Sequence, residues 1–340
     1  MRENHEVTNR QPLLNEQGEL REPGWSRHLL QQYDRNAIKA PKWRIKEWDY
    51  YLVLGKDFGA AFTISDNGYL GLQSVSLMNF GKNWQDTESV INGFPMGKMH
   101  MPWDSSTGDV IYEDHRMKLC YEVTPGKRHI TCHFDNFHDN KPFDADITLE
   151  QPPMETMVIA TPWDKKHAFY YNQKINGMRA SGTMEYDGVT YTFDPKTDFG
   201  TLDWGRGVWT YDNTWYWGSG NTDIDGHHFG WNIGYGFGNT KAASENVLFY
   251  DGKVHKLEDV TFHIPEEGYM APWKFTSSDG RFEMDFEPIM DRAANMDFKI
   301  IASDQHQVFG RMSGTAILDD GTPIHIKDVL CFAEKVHNKY

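Results

Sequence analysis

Met117 to Phe134 reads MKLCYEVTPGKRHITCHF, and its reading decides the fold. Apolar and polar residues alternate on both sides of Thr124-Pro125-Gly126, the period of two that gives a strand one inward and one outward face. Two such runs joined by a tight turn make a hairpin. The same design recurs in SGTMEYDGVTYTF around Asp187-Gly188, in VLFYDGKVHKL around Asp251-Gly252 and in TAILDDGTPIHI around Asp320-Gly321. Asn67-Gly68 and Asp279-Gly280 are further pairs that tolerate the positive φ of hairpin turns. Almost nothing keeps a 3.6-residue period. The expectation is an all-β, antiparallel protein of many short strands, built as sandwiches or closed barrels.

The turn pairs are irregularly spaced and no blade signature recurs, which argues against a solenoid or propeller. Pro152-Pro153, within EQPPMETMVIATPWDKK (Glu150 to Lys166), would interrupt strand pairing and marks the expected boundary. Each side is long enough for a barrel of about eight strands, whose interior is filled or holds one small ligand. The predicted architecture is two barrels in tandem, 41–160 and 161–340, with one large sandwich as the alternative. Residues 1–40 are polar, broken by QPLL and by RHLLQQY, which suits one or two helical turns; they are expected to lie over the fold as an arm.

Composition narrows the partners. Lys and Arg number 34 against 49 Asp and Glu, a net charge of −15 that repels phosphate backbones and anionic membrane surfaces. No nucleic acid and no membrane insertion are expected; a small molecule is. With 39% hydrophobic and 14% aromatic residues the chain can bury sizeable cores. Cys120, Cys132 and Cys331 lack metal-type spacing, and their odd number does not suggest a secreted disulfide framework, although Cys120 and Cys132 could meet across a hairpin. The N-terminus has no signal-peptide core, and the default location is the cytoplasm.

Function is concentrated in Asp203 to Gly220, DWGRGVWTYDNTWYWGSG, which holds Trp204, Trp209, Trp215 and Trp217 out of 12 tryptophans. A single strand of that length would span roughly 60 Å, far beyond the usual strand. A turn at Asp212-Asn213 is therefore expected, with Tyr211 opposite Thr214 and Trp209 opposite Tyr216. Glycines among large rings open space, and aromatic walls with a few polar groups describe a ligand pocket better than a filled core. GWNIGYGFGNTKAASENVLFYDG continues the pattern with Trp231, Asn232 and Tyr235, then Glu245 and Asn246. Its GYGFGNTK lacks the offset of a dinucleotide loop. Asp203 and Glu245 are the candidate catalytic acids. The candidate binding residues are Trp204, Arg206, Trp209, Tyr211, Trp215 and Trp217, joined by Trp231, Asn232, Tyr235 and Asn246. Arg206 is placed to pair with either acid or to cover a Trp face.

These two segments, with PWKFTSSDGRFEMDFEP and the N-terminal REPGWSRHLL, resemble the bacterial family known as domain of unknown function 2804. The resemblance implies a lipocalin-like (calycin) fold and no assigned activity. A more remote similarity, to tandem lipocalin-like carotenoid hydratases and related cyclases, rests on an acid followed by Trp-Gly, here Asp203-Trp204-Gly205.

Other constellations are weaker. His227-His228 beside Asp223 and Asp225 matches no zinc spacing, and His129 and His133 read as a polar strand face. Ser219 has no nucleophile elbow. No metal or cofactor is expected. Two readings stand together: a cofactor-independent acid–base enzyme of the hydratase, isomerase or cyclase type acting inside the C-terminal barrel, and a carrier or sensor without chemistry. Paired carboxylates with Trp platforms would also suit sugars, a glycosidase-like variant.

Overall fold

The computed structural model describes residues 3–297 and 302–339. The N-terminal segment supplies β1 (Gln11–Pro12), β2 (Gly24–Ser26) and β3 (Gln31–Gln32). Then follow β4 (Ile45–Leu54), β5 (Phe58–Asp66), β6 (Leu70–Asn79), β7 (Trp84–Gly93), β8 (Val110–Glu113) and β9 (Met117–Thr124). The next are β10 (Lys127–His138), β11 (Lys141–Glu150), β12 (Met157–Pro162), β13 (Phe169–Tyr186), β14 (Val189–Phe193) and β15 (Phe199–Val208). The C-terminal part holds β16 (Asp212–Ile224), β17 (His227–Tyr235), β18 (Val247–Tyr250), β19 (Lys253–Lys256) and β20 (Val260–His263). It ends with β21 (Trp273–Ser277), β22 (Phe282–Asp297), β23 (Ala302–Ile317) and β24 (Pro323–Lys339).

These strands form two large curled sheets, a tandem of half-barrels. The first has 13 strands in the order β7-β6-β5-β4-β15-β13-β11-β10-β9-β8, with β12 and β14 paired to β13 and β2 paired to β12. The second has nine, β19-β18-β17-β16-β24-β23-β22-β21-β20. The hairpins read from the turn pairs are present as β9–β10, β13–β14, β18–β19 and β23–β24. Among the described residues there is no α-helix, only two short 3-10 turns, and hence no helix long and apolar enough to cross a membrane.

Sheet membership divides the chain between Val208 and Asp212, not near residue 160. The Pro152-Pro153 segment is a connection inside the first sheet, and β12 beyond it pairs with β13 from Met157 onward. The expected turn at Asp212-Asn213 is absent too. Both residues already lie in β16, opposite Lys339 and Asn338, and Trp209–Tyr211 carries the chain from one sheet to the other. Asn213 does serve a turn-like role: its Nδ2 donates to the Thr210 carbonyl at 2.5 Å and so closes the crossover. RHLLQQY is likewise not helical, since Gln31–Gln32 pairs in parallel with Gln11–Pro12.

Three apolar cores result. One fills the first curl with Tyr51, Phe62, Tyr121, Phe143 and Trp204, sealed by Leu13, Leu14 and Tyr33 of the N-terminal segment. A second fills the other curl with Trp231, Trp273, Phe275 and Phe286. The third lies between the sheets and joins Tyr50, Met78 and Tyr170 to Trp217, Phe309 and Phe332. Strand alternation sorts residues among them: in β4, Tyr51 and Val53 enter the first core while Tyr50 and Leu52 enter the third. All three cysteines are free and buried. Cys120 is opposite Thr131 and Cys132 opposite Leu119, which puts the two thiols on opposite faces of the hairpin.

Candidate functional site

The third core opens into a cavity of about 580 Å³ between the two sheets. Its walls are two rows of cross-strand neighbours. On the first sheet Lys174, Asp203, Tyr50, Thr63, Ser74 and Ser89 stand side by side across β13, β15, β4, β5, β6 and β7. On the second, Arg292, Gln307, Glu334 and Trp217 do the same across β22, β23, β24 and β16. All ten residues line the cavity. Antiparallel register thus brings together groups that lie far apart in sequence. Trp48, Trp209, Trp215, Tyr170 and Phe237 close one end. Two clefts of similar volume, about 590 and 680 Å³, lack this aromatic wall.

Lys174, Asp203 and Glu334 are buried and specifically partnered. Lys174 Nζ lies 2.7 Å from Asp203 Oδ1 and 3.9 Å from the centre of the Trp217 ring, a cation–π contact. Asp203 also accepts from Asn172 Nδ2 at 2.6 Å and from Trp48 Nε1 at 3.2 Å. Glu334 accepts from Trp215 Nε1 at 3.1 Å and from Gln307 Nε2 at 2.9 Å. Burial nevertheless pushes the Glu334 carboxyl up to about 7, because removal from water costs its charged form more than these donors return. The Tyr50 hydroxyl, 3.4 Å from the Gln307 amide, spans the two walls.

Glu245 stands one layer behind. The Tyr170 hydroxyl donates to its Oε2 at 3.4 Å, and its Oε1 has no hydrogen-bond partner among the described residues. It occupies space that Gly234 leaves free, since a Cβ there would fall 2.4 Å from Oε1. Burial, reinforced by the Asp203 charge and opposed by Lys174, pushes this carboxyl also up to about 7. Gly205 has the corresponding role for Trp48, whose indole lies where a Cβ on residue 205 would be.

Of the residues singled out in the sequence, Asp203, Trp209, Trp215 and Trp217 line the cavity. Trp204 and Arg206 face the opposite side of β15, as alternation requires. Trp204 packs edge-on against Tyr33 and Tyr171. Arg206 pairs with Asp49 at 2.9 Å, not with Asp203 or Glu245, and lies over the Trp204 ring. Tyr211 is 51% exposed on the crossover. Trp231 is in the second core, and Tyr235 stacks on Tyr216 at its margin. Asn232 works from behind, accepting from Trp217 Nε1 at 2.7 Å and donating to the Glu245 carbonyl. Asn246 accepts from the Gly234 N–H at 2.7 Å.

The cavity is therefore between the half-barrels, not inside the C-terminal one. Lys174, Gln307, Arg292 and Glu334 were missed in the sequence. Their signal was an ionisable or amide residue interrupting an apolar strand, as in FYYNQKI and VLCFAEKV. The histidine groups have separate partners: His227 pairs with Asp251, Asp223 with Arg179, and His129 bridges Glu122 and Asp146 on an exposed face.

Residues 4–340 match the family described as Domain of unknown function (DUF2804), and the chain belongs to that family. Among solved structures it is similar to a Nitrosomonas europaea protein that carries the provisional name AttH, at 13% identity and a TM-score of 0.51, over 91% of this chain and 96% of that one. It is also similar to kievitone hydratase from Nectria haematococca, at 12% identity and a TM-score of 0.48, over 87% and 88% of the two chains. The first likeness bears on the fold alone. No protein of curated description matches the chain.

Proposed function

We propose that this member of the family binds a small, largely apolar molecule between its half-barrels and converts it by cofactor-independent proton transfer, in a hydration, isomerisation or cyclisation. The observation that carries the reading is Glu334: a buried carboxyl on the cavity wall, with a pKa of about 7, facing an aromatic enclosure. A carboxyl that is part-protonated near neutral pH is suited to general-acid catalysis. It delivers the proton to the substrate. The Asp203 carboxylate, ion-paired with Lys174, takes a proton from the attacking water or from a neighbouring carbon. Indole faces around the site favour positive charge as it develops.

An apolar substrate fits better than a sugar. Trp209 meets Trp215 at 82° and Trp48 at 78°, so the indoles form an enclosing box, not the flat platforms on which a pyranose ring lies. The test compares wild type, Glu334→Gln and Asp203→Asn in mixed cell metabolites, reading tryptophan fluorescence for binding and mass spectra for turnover. A compound that quenches all three proteins and is consumed by wild type alone is the expected result. Binding without consumption by any of them overturns the conversion and leaves a carrier.

A further inference from the structure

The guanidinium at the polar end of the cavity has no ion-pair partner among the described residues. Arg292 is 9% exposed and lines the cavity. Its Nη1 donates to Ser76 Oγ at 2.5 Å, its Nε has no hydrogen-bond partner, and no carboxylate among the described residues pairs with it. Lys174 is paired with Asp203, and Asp86 lies 3.1 Å from the His138 ring, which balances its charge only when the imidazole is protonated. Glu334 feels the Arg292 charge through space but makes no ion pair with it, its carboxylate being held by Trp215 and Gln307. A buried guanidinium without a counter-ion is costly, and protein interiors retain such a group where a charged partner is supplied. That partner is most simply an incoming anion, drawn by this local cation against the overall charge of −15.

We propose that Arg292 receives the carboxylate of an amphipathic ligand whose apolar body lies among Trp209, Trp215 and Trp217. Register fixes the scale. Arg292 stands two strands from Glu334 and three from Trp217 along one row. At the interstrand spacing this is roughly 10 Å to the acid and roughly 14 Å to the indole. The ligand class is then an aryl- or alkenyl-alkanoate with its unsaturated centre several carbons from the carboxylate. Thr63, Ser74 and Ser89 on the facing wall supply hydroxyl donors near that polar end. The proposal narrows the substrate class of the reading above and rests on the same cavity, but it concerns binding and not turnover.

The probes are ω-phenylalkanoates of graded chain length and the corresponding primary alcohols, titrated by tryptophan fluorescence into wild type, Arg292→Gln, Arg292→Lys and Glu334→Gln. A charge-assisted hydrogen bond predicts that wild type binds the acids about ten- to a hundredfold more tightly than the alcohols. Arg292→Gln should lose that preference while binding the alcohols as before, and that unchanged binding reports an intact fold. Arg292→Lys should keep part of it, and Glu334→Gln all of it. Equal affinity of wild type for acid and alcohol, no binding of either, or a preference that survives Arg292→Gln would overturn the proposal. Acid preference that tracks Arg292 would sustain it whether or not the catalytic reading holds, since these saturated-chain probes offer no double bond to convert.

Discussion

Glu334 is placed where the proposed chemistry and the stability of the fold depend on the same proton. Its carboxyl has a pKa of about 7 in the fold against an ordinary 4.5, because burial disfavours its charge. Between those values the folded chain holds a proton that the unfolded chain has released, so stability falls as pH rises through this window and the loss is complete above about 7. Glu334→Gln removes the titration. Its urea midpoint should therefore fall less between about pH 5 and about pH 8 than that of wild type. Parallel profiles would contradict the raised pKa. Where turnover is found, kcat should decline as pH rises past the same value, since the acid form is the donor. Glu334 was missed in the sequence for a physical reason: its role depends on Gln307 and Trp215, brought beside it by strand register and not by spacing along the chain. The place of Asp203 on the cavity wall was legible because it borders the aromatic segment that lines the same space. Arg206 covers a Trp face, one of its two expected roles, but an odd number of steps along β15 from Asp203 puts it on the opposite side, beside Asp49.

At the scale of strands, the Gly-containing hairpin turns are legible in the sequence, whereas the Asp212-Asn213 crossover and the long-range pairings are not. Asp-Gly and Asn-Gly pairs name their hairpins because both strands and the turn are contiguous. Besides its neighbour β17, β16 pairs with β24 more than a hundred residues on, and no local pattern announces it. Strands buried on both faces also hide their alternation; every residue of β15 is buried. Glycine spacing in β15 nevertheless carried information, since Gly205 leaves the room that Trp48 fills. A Cβ there would fall 1.9 Å from the Trp48 indole, and the ring cannot give way without entering the cavity. Gly205→Ala should cost about 1–3 kcal/mol, the usual range for overpacking a filled interior. Its urea midpoint should drop, and the fluorescence quenching by cavity ligands should weaken. A Gly205→Ala protein with unchanged stability and binding would show that Trp48 is free to move.

For the whole molecule, the apolar core between the sheets decides how the halves behave. Interfaces between domains of one chain are usually polar and of modest size, which lets the domains move and melt separately. Here the sheets meet through Tyr50, Met78 and Tyr170 on one side and Trp217, Phe309 and Phe332 on the other, with the Lys174–Asp203 pair enclosed beside them. The N-terminal segment fastens the assembly, since Arg27 reaches Glu155 of the first half at 2.9 Å and the Val254 carbonyl of the second at 2.7 Å. Exposing that core when one half unfolds would remove the other half's packing as well. Scanning calorimetry should accordingly show one transition, with calorimetric and van't Hoff enthalpies in near agreement. A chain divided at the 209–211 crossover should yield halves that do not fold alone, because each would expose its share of the third core to water. Two resolved transitions in the intact chain would mean that the half-barrels are independent, and the cavity between them would then be free to open and close on its ligand.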